Sequence, residues 1–145
     1  MRQAAEDRPT VVLTGVSSDS HTWNLVFLEL LIEEHGHRVI NLGPCVPPDL
    51  LVARCQVLDP DLVVVSTVNG HGATDGLSAI TALRAEPRLI DTPVVIGGKL
   101  GVNGVPSRSE TSRLRHAGFT AVFGDGDDLP AFASLLLSLR TRVAA

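Results

Sequence analysis

Short apolar segments rich in β-branched residues alternate with segments of helical periodicity along this chain, and this alternation constrains the fold more than any other feature. The clearest strands lie at residues 61–67 and 93–98, where near-continuous apolar runs are typical of strands buried on both faces. Such strands occur in parallel sheets that helices cover on both sides. The sequence therefore predicts an α/β fold with a doubly wound parallel sheet.

The remaining segments complete five strand-helix units. A helix is predicted after the first strand, because apolar residues recur there at helical spacing: Trp23, Val26, Phe27, Leu30 and Leu31. We expect Trp23 to belong to the core stripe of this helix. Five units favour the flavodoxin-like strand order 2-1-3-4-5. At 145 residues and 44% hydrophobic content, the chain is expected to form one domain with a core at about residues 10–139. We predict further strands at residues 10–16, 38–42 and 120–123, and further helices at about residues 47–58, 77–83, 109–116 and 129–139.

Composition argues against several classes of function. The net charge of −4 and the lack of a Lys/Arg cluster argue against nucleic-acid binding. No apolar run is long enough for a membrane span, and the first residues lack the apolar segment of a signal peptide. We therefore expect a cytoplasmic protein without a membrane partner. Cys45 and Cys55 show no metal-type spacing and are expected to be reduced.

Three polar or glycine-rich stretches follow predicted strands, at residues 17–24, 66–72 and 97–104. Ligands of doubly wound sheets bind beyond the carboxyl ends of the strands, where the strand order reverses. In the order 2-1-3-4-5 that point lies beside the first and third strands. We therefore expect each stretch to contribute one wall of a binding site.

The pair Asp19 and His21 in the first stretch is open to several interpretations. A phosphate-binding loop would need a lysine that this stretch lacks, and a flavin site would need aromatics in a chain with one Trp and no Tyr. A phosphoacceptor domain would need an aspartate at the end of the third strand, where Ser66 and Thr67 stand. Two readings remain open from the residues alone: a helix cap with a surface histidine, or a metal ligand oriented by a carboxylate.

The segment 17–24, Ser-Ser-Asp-Ser-His-Thr-Trp-Asn, resembles the Asp-x-His-x-x-Gly signature of cobalamin-binding domains. Residues 63–68 and 95–100 resemble the serine-containing third strand and the Gly-Gly pair of that family. Together with Asn69, His71 and Asp75, these motifs are most similar to the small subunit of glutamate mutase, also called methylaspartate mutase. The resemblance covers roughly residues 10–139.

The resemblance implies that His21 is the lower axial ligand of cobalt and that Asp19 hydrogen-bonds its other nitrogen. It further implies adenosylcobalamin as cofactor, a deep pocket for the displaced dimethylbenzimidazole tail, and a radical isomerisation of glutamate to 3-methylaspartate. The substrate site is expected on a large barrel subunit, so no catalytic residue is assigned to this chain. The cofactor contacts implied are Ser18, Asp19, Ser20, His21, Thr22, Asn24, Ser66, Thr67, Val68, Gly97, Gly98, Lys99, Leu100 and Gly101.

The chain departs from the family signature at Asn24, where the motif has glycine. Asparagine tolerates left-handed backbone angles, but it occupies more room than glycine. We therefore expect Asn24 either to reshape the tail pocket or to add a hydrogen bond to it.

Three alternatives stay open beside the mutase subunit. His21, His71, Asp19 and Asp75 are conceivable ligands of a hard metal, although their spacing is not that of a zinc site. A methyl-carrying corrinoid protein would be expected to have a helical domain before the fold, whereas about ten residues precede the first strand here. A non-catalytic cobalamin sensor or a degenerate subunit is the third.

Overall fold

The fold is an all-parallel five-stranded sheet, seen in a computed structural model that describes residues 8–98, 100, 106–124 and 128–144. The strand order is β2-β1-β3-β4-β5, so the predicted doubly wound order is confirmed. The strands are β1 (Thr10–Thr14), β2 (Arg38–Asn41), β3 (Leu62–Thr67), β4 (Val94–Gly98) and β5 (Ala121–Val122).

Each predicted helix is present, and local sequence signals explain several of the boundaries. Pro48 stands at the first position of α2, where its missing N–H costs no helical hydrogen bond. Ser107 and Glu110 form a capping box at the start of α4, and Gly118 follows its end. The helices are α1 (Trp23–Glu34), α2 (Pro48–Leu58), α3 (Gly72–Arg84), α4 (Arg108–Ala117) and α5 (Leu129–Ala144), with a 3₁₀ turn at Pro87–Leu89.

Alternate residues of the central strands build two separate cores, one on each face of the sheet. Val63 and Val65 of β3 point into the core that α2, α3 and α4 cover. Val64 points into the other core, which Leu25 and Ile32 of α1 share with Phe132 and Leu136 of α5. Because β3 is buried along its whole length, its apolar run is continuous, as the sequence indicated. Because α1 and α5 contribute to the same core, they lie on the same face of the sheet.

The predicted core stripe of α1 is wrong for four of its five residues. Trp23 is 65% exposed, and Val26, Phe27 and Leu30 are each more than half exposed. Leu25 and Ile32 are the buried residues that face the core, and Leu28 and Leu31 pack against it, so Leu31 of the predicted stripe does contact the core. Helix α1 carries apolar residues around most of its circumference, so periodicity alone could not decide which side is buried.

His37 is a polar residue that the fold encloses. It is buried just before β2, and its Nε2 lies 2.7 Å from the carbonyl oxygen of Leu136 in α5.

Cys45 and Cys55 are both free thiols, and burial raises the pKa of Cys55 to about 11. Within the ranges described, none of the helices combines the length and the apolar character needed to cross a bilayer.

Candidate functional site

Two loops meet at the carboxyl ends of β1 and β3, the strands beside the point where the strand order reverses. The loop after β1 carries Asp19 and His21, and the loop after β3 begins at Val68. Backbone bonds fold the first loop tightly, because Asp19 donates to the carbonyl of Val16 and accepts from the N–H of Cys45. The fold thus places the Asp19-x-His21 pair where doubly wound sheets bind their ligands.

Asp19 is a buried carboxylate that holds these two loops together. Its Oδ1 accepts from the backbone N–H of His21 at 3.0 Å and lies 2.7 Å from Nδ1 of the His21 ring. Its Oδ2 accepts from the Thr67 hydroxyl at 2.9 Å and from the Val68 N–H at 2.7 Å. Each carboxylate oxygen therefore accepts two hydrogen bonds. The side chain is only 2% exposed, so these bonds replace those that water would make.

These contacts decide the charge of Asp19. Burial on its own would raise the pKa of this carboxyl group, because it disfavours the charged form. The hydrogen bonds from Val68, His21 and Thr67 outweigh burial and hold the pKa below its usual value. Asp19 is therefore an anion at neutral pH, and its carboxylate accepts every hydrogen bond that it makes.

His21 is oriented by this anion. With Asp19 on Nδ1, the ring takes the tautomer with Nδ1–H and leaves the lone pair of Nε2 available. The side chain is 49% exposed, so Nε2 is accessible from outside the loop. A carboxylate on the far nitrogen of an imidazole is the usual support of a metal-ligating histidine, and it strengthens the donor nitrogen.

A second polar network supports the loop from the side of β3. The Asn69 amide donates to the Ser18 hydroxyl at 2.9 Å and to the Ser18 carbonyl at 3.1 Å. The Ser18 hydroxyl donates in turn to the carboxylate of Asp75 in α3. Asn69 also accepts from the backbone N–H of His71 at 2.9 Å. These bonds fix the chain immediately before Asp19.

A groove opens beside this cluster, between α1 and α5 and over β3 and β4. Its cavity volume is about 180 Å³, and its lining is mostly apolar. Val64 and Val95 form the floor, and Phe123 and Phe132 close the far side with rings packed edge to face at 5.7 Å. The described lining residues are Trp23, Asn24, Phe27, Leu28, Val64, Val65, Ser66, Val68, Val95, Gly97, Gly98, Phe123, Gly124, Asp128, Leu129 and Phe132.

Asn24 and Ser66 place a polar pair inside this apolar groove. The Asn24 amide donates to the Ser66 hydroxyl at 2.9 Å, across the space between α1 and β3. Both residues are buried, with exposures of 6% and 4%. The carbonyl oxygen of the Asn24 amide has no hydrogen-bond partner.

The two glycines at the end of β4 differ in what the fold requires of them. Gly98 has a φ of 105°, and a Cβ there would clash with the carbonyl oxygen of Thr67. A Cβ on Gly97 would meet only Phe123, at ordinary distances of 3.5 and 3.7 Å. Gly98 is therefore a structural requirement, whereas Gly97 leaves a bare stretch of backbone that the fold alone does not demand.

A family model for the B12 binding domain matches residues 9–133, which is most of the chain. The chain belongs to the B12-binding domain family. The resemblance drawn from the Asp19-x-His21 motif and the motifs after β3 and β4 is thereby confirmed.

Curated relatives of this B12-binding domain include glutamate mutase sigma subunits from several organisms. The chain is 31% identical over 115 residues to the glutamate mutase sigma subunit of Halobacterium salinarum, and the match covers 79% of this chain and 76% of that protein. It is 29% identical over 129 residues to the glutamate mutase sigma subunit of Escherichia coli O157:H7, covering 89% and 86%.

Solved structures share the fold of this B12-binding domain. A cobalamin-binding protein from Desulfitobacterium hafniense superposes with a TM-score of 0.73 at 23% identity, over 91% of this chain and 59% of that one. A Francisella receiver domain superposes with a TM-score of 0.69 at 18% identity, over 93% and 98%. At these identities the likeness concerns the fold alone.

The site residues predicted for this B12-binding domain fall into distinct groups. The polar cluster at the loop contains Ser18, Asp19, His21 and Thr67. Leu100 is instead fully buried in the core on the opposite face of the sheet. Ser20 and Thr22 are exposed on the loop itself. Lys99 and Gly101 lie outside the described residues. Those that line the groove are Asn24, Ser66, Val68, Gly97 and Gly98.

Sequence analysis missed the wall of the groove formed by α5 and the end of β5. Phe123, Asp128, Leu129 and Phe132 belong to this wall, and Trp23 lines the groove instead of packing in the core. The strand order offered a signal: it brings β5 beside β4, so that the helix after β5 packs near α1.

The alternative of a hard-metal site from His21, His71, Asp19 and Asp75 has no support in the described part of the chain. There, no three His, Cys, Asp or Glu side chains come together in a metal-binding group. A single histidine suits a metal whose remaining ligands arrive with a cofactor, as in a corrinoid.

Proposed function

We propose that this chain is the adenosylcobalamin-binding small subunit of a carbon-skeleton mutase. The reaction proposed, carried out with a large catalytic subunit, is the isomerisation of glutamate to 3-methylaspartate. Membership of the B12-binding domain family supports the cofactor, and the names of the glutamate mutase sigma subunits support the reaction. The observation that carries the proposal is the 2.7 Å contact between Nδ1 of His21 and Asp19.

In this proposal His21 binds cobalt through Nε2. Asp19 would keep the proton on Nδ1, fix the ring orientation, and strengthen Nε2 as a metal ligand. Thr67 and Val68 hold Asp19 in turn, so the ligand is supported by the ends of both β1 and β3. The bound cofactor would supply the radical chemistry by homolysis of its cobalt-carbon bond.

The groove between α1 and α5 is the proposed site of the nucleotide tail. It begins next to the His21 loop, because Val68 both donates to Asp19 and lines the groove. The bare backbone at Gly97 supports a ligand here, since the fold alone does not demand a glycine at this position. In this site Ser66, Gly97 and Gly98 would contact the tail, while Val64 and Val95 form the floor beneath it.

The substrate is proposed to bind to the partner subunit. Among the described lining residues the only charged side chain is Asp128, which accepts a hydrogen bond from Gly124 at 2.6 Å. A carboxylate repels an amino-dicarboxylic acid. The exposed His21 ring and the loop with Asn69 and His71 would then face the large subunit.

Absorption spectroscopy of the purified chain mixed with adenosylcobalamin tests this function. We expect a spectrum in which the lower base has left cobalt and histidine has replaced it. His21→Ala removes that spectrum, while His116→Ala, on the exposed surface of α4, leaves it unchanged. The absence of binding, with or without the large subunit, would refute the proposal.

Mixing with the large subunit separates the mutase from the other corrinoid proteins. Conversion of glutamate to 3-methylaspartate, dependent on both chains and on the adenosyl cofactor, is the expected result. Tight binding of methylcobalamin together with no activity on glutamate would favour a methyl carrier, and binding without any activity would favour a sensor.

A further inference from the structure

The solvent-facing side of α1 carries a continuous line of apolar side chains. Trp23, Val26, Phe27 and Leu30 recur at intervals of three and four positions, so they share one face of the helix. Each of the four is more than half exposed. Single apolar residues are common on protein surfaces, but a contiguous patch that includes two aromatic rings marks an interaction site. We call these four residues the outer stripe of α1.

The groove beside α1 does not account for the outer stripe. Trp23 and Phe27 line the groove, but Val26 and Leu30 are not among its described lining residues. A nucleotide tail in the groove would therefore leave Val26 and Leu30 in water. The stripe also leads away from the loop that holds His21, because Leu30 lies seven positions beyond Trp23 and about 10 Å further along the helix. The stripe is thus a surface beside the proposed cobalt site and not part of it.

The charges at the two ends of α1 indicate which partner fits the outer stripe. Glu33 and Glu34 continue the exposed face beyond Leu30, and the last turn has no basic residue. At the other end, no side chain of the described residues caps the helix at Thr22, and the first turn has no acidic residue. One end of this face is therefore acidic, while the other end has the positive end of the helix dipole without a neutralising group.

A second copy of the same helix, running in the opposite direction, complements these features. In an antiparallel pair, Trp23 of each copy lies opposite Leu30 of the other, and Val26 and Phe27 meet across the two-fold axis. The two glutamates of each copy then approach the positive N-terminus of the other helix. A parallel pair would instead bring four glutamates together. Antiparallel pairing therefore matches both the apolar part and the charged ends of the face.

We propose that two copies of this chain associate through the outer stripe of α1 in an antiparallel, two-fold symmetric contact. The stripe exposes about 450 Å² of apolar surface per copy, and Leu129 of α5 lies nearby at the groove. The contact would then bury about 1,000 Å² in total, close to the lower limit for a specific interface. A dissociation constant of about 10 μM is expected for a contact of this size. The inference concerns a surface outside the cobalt site and does not depend on the proposed function.

Sedimentation velocity of the full chain between about 1 and about 200 μM tests the dimer. We expect a monomer at the lowest concentration and a dimer at the highest. Leu30→Glu places a carboxylate in the apolar contact and should raise the dissociation constant at least about tenfold. Val57→Glu is the matched control, because Val57 is 76% exposed on α2, and it should keep the wild-type constant. Circular dichroism verifies that both variants are folded.

Glu34→Gln tests the direction of the pairing, because the two arrangements predict changes of opposite sign. Antiparallel pairing loses an attraction to the N-terminus of the other helix, so the dissociation constant should rise about threefold. Parallel pairing would lose a repulsion, and the constant would fall. Asp49→Asn, in the first turn of α2, removes the same charge elsewhere and should leave the constant unchanged.

The outcomes separate this inference from the proposed function. A chain that stays monomeric at about 200 μM, an unchanged constant in Leu30→Glu, or a lower constant in Glu34→Gln would overturn the inference. A monomeric wild type whose binding to the large subunit is lost in Leu30→Glu would also overturn it, and would assign the outer stripe to that subunit. The absorption test of His21 is independent of all these results, so either proposal can fail alone.

Discussion

Asp19 and Asn24 are both buried polar side chains near His21, yet one is fully bonded and the other is not. The two oxygens of Asp19 accept from His21, Thr67 and Val68. The amide of Asn24 reaches Ser66 alone and leaves its oxygen without a partner. The difference teaches that the loop holding His21 has its hydrogen bonds complete as the chain folds, whereas the packing of α1 on β3 leaves one buried acceptor without a partner.

Removing the carboxylate should have the largest effect on stability. Asp19→Ala leaves the N–H of Val68 and the N–H of His21 without their acceptor, and it leaves the Thr67 hydroxyl only the longer contact with the Asn69 side-chain oxygen at 3.3 Å. We expect the free energy of unfolding to fall by about 4 kcal/mol, since stranding several buried donors is costly. Urea denaturation followed by circular dichroism measures this change. A loss no larger than that of an exposed substitution such as Ser78→Ala would mean that the loop does not depend on Asp19.

The paired glycines at the end of β4 give the next largest contrast. Gly98→Ala should destabilise the chain by about 3 kcal/mol, because its φ is positive and its Cβ would clash with the Thr67 carbonyl. Gly97→Ala should change stability by less than about 1 kcal/mol, since its Cβ meets only ordinary contacts. Denaturation curves of the two variants provide the test. Equal losses would contradict the distinction between a glycine that the fold needs and one that the groove needs.

Acid should weaken the chain through Asp19. The pKa of Asp19 is lower in the folded state than the ordinary aspartate value, so the stabilisation is fully present above about pH 4. It is lost as the pH falls through the lower folded-state value, because the unfolded chain binds the proton more readily. The free energy of unfolding is measured between neutral and acid pH for the wild type and Asp19→Asn. The variant should show a shallower acid slope, and parallel slopes would refute the assignment.

Asn24 should give the smallest effect on stability of these buried polar residues. Asn24→Ala breaks one neutral hydrogen bond to Ser66 but also removes an acceptor that was buried without a partner. We expect the free energy of unfolding to change by less than about 1 kcal/mol, because the two effects oppose each other. The same denaturation assay applies. A loss as large as that of Asp19→Ala would show that the hydrogen bond to Ser66 outweighs the cost of the unpaired amide oxygen.

The sequence allowed the five strand-helix units, the strand order and the position of Asp19 and His21 to be predicted. Each of these depends on local periodicity or on a short motif, and the interaction between Asp19 and His21 spans two positions. The apolar run of β3 also indicated a buried parallel strand, because burial on both faces leaves no polar alternation.

The groove could not be predicted to the same degree, because it depends on packing between distant segments. Asn24 and Ser66 are 42 positions apart, and no pattern in either segment indicates their contact. The exposure of Trp23 and Phe27 depends on which side of α1 meets the sheet, and an apolar residue at a groove reads like one in a core. The predicted strand order already places β5 beside β4, but no local pattern in α5 indicates which of its residues line the groove.

Electron paramagnetic resonance of the Co(II) cobamide bound to the chain tests the central claim, that His21 ligates cobalt, most directly. The protein is prepared with histidine carrying either the common or the heavy nitrogen isotope, while the cobamide is left unlabelled. We predict that the nitrogen splitting on the cobalt signal changes with the isotope, and that His21→Ala abolishes this dependence while His116→Ala retains it. A nitrogen splitting that is the same for both histidine isotopes would mean that the lower base keeps its bond to cobalt, and it would contradict the assignment of His21.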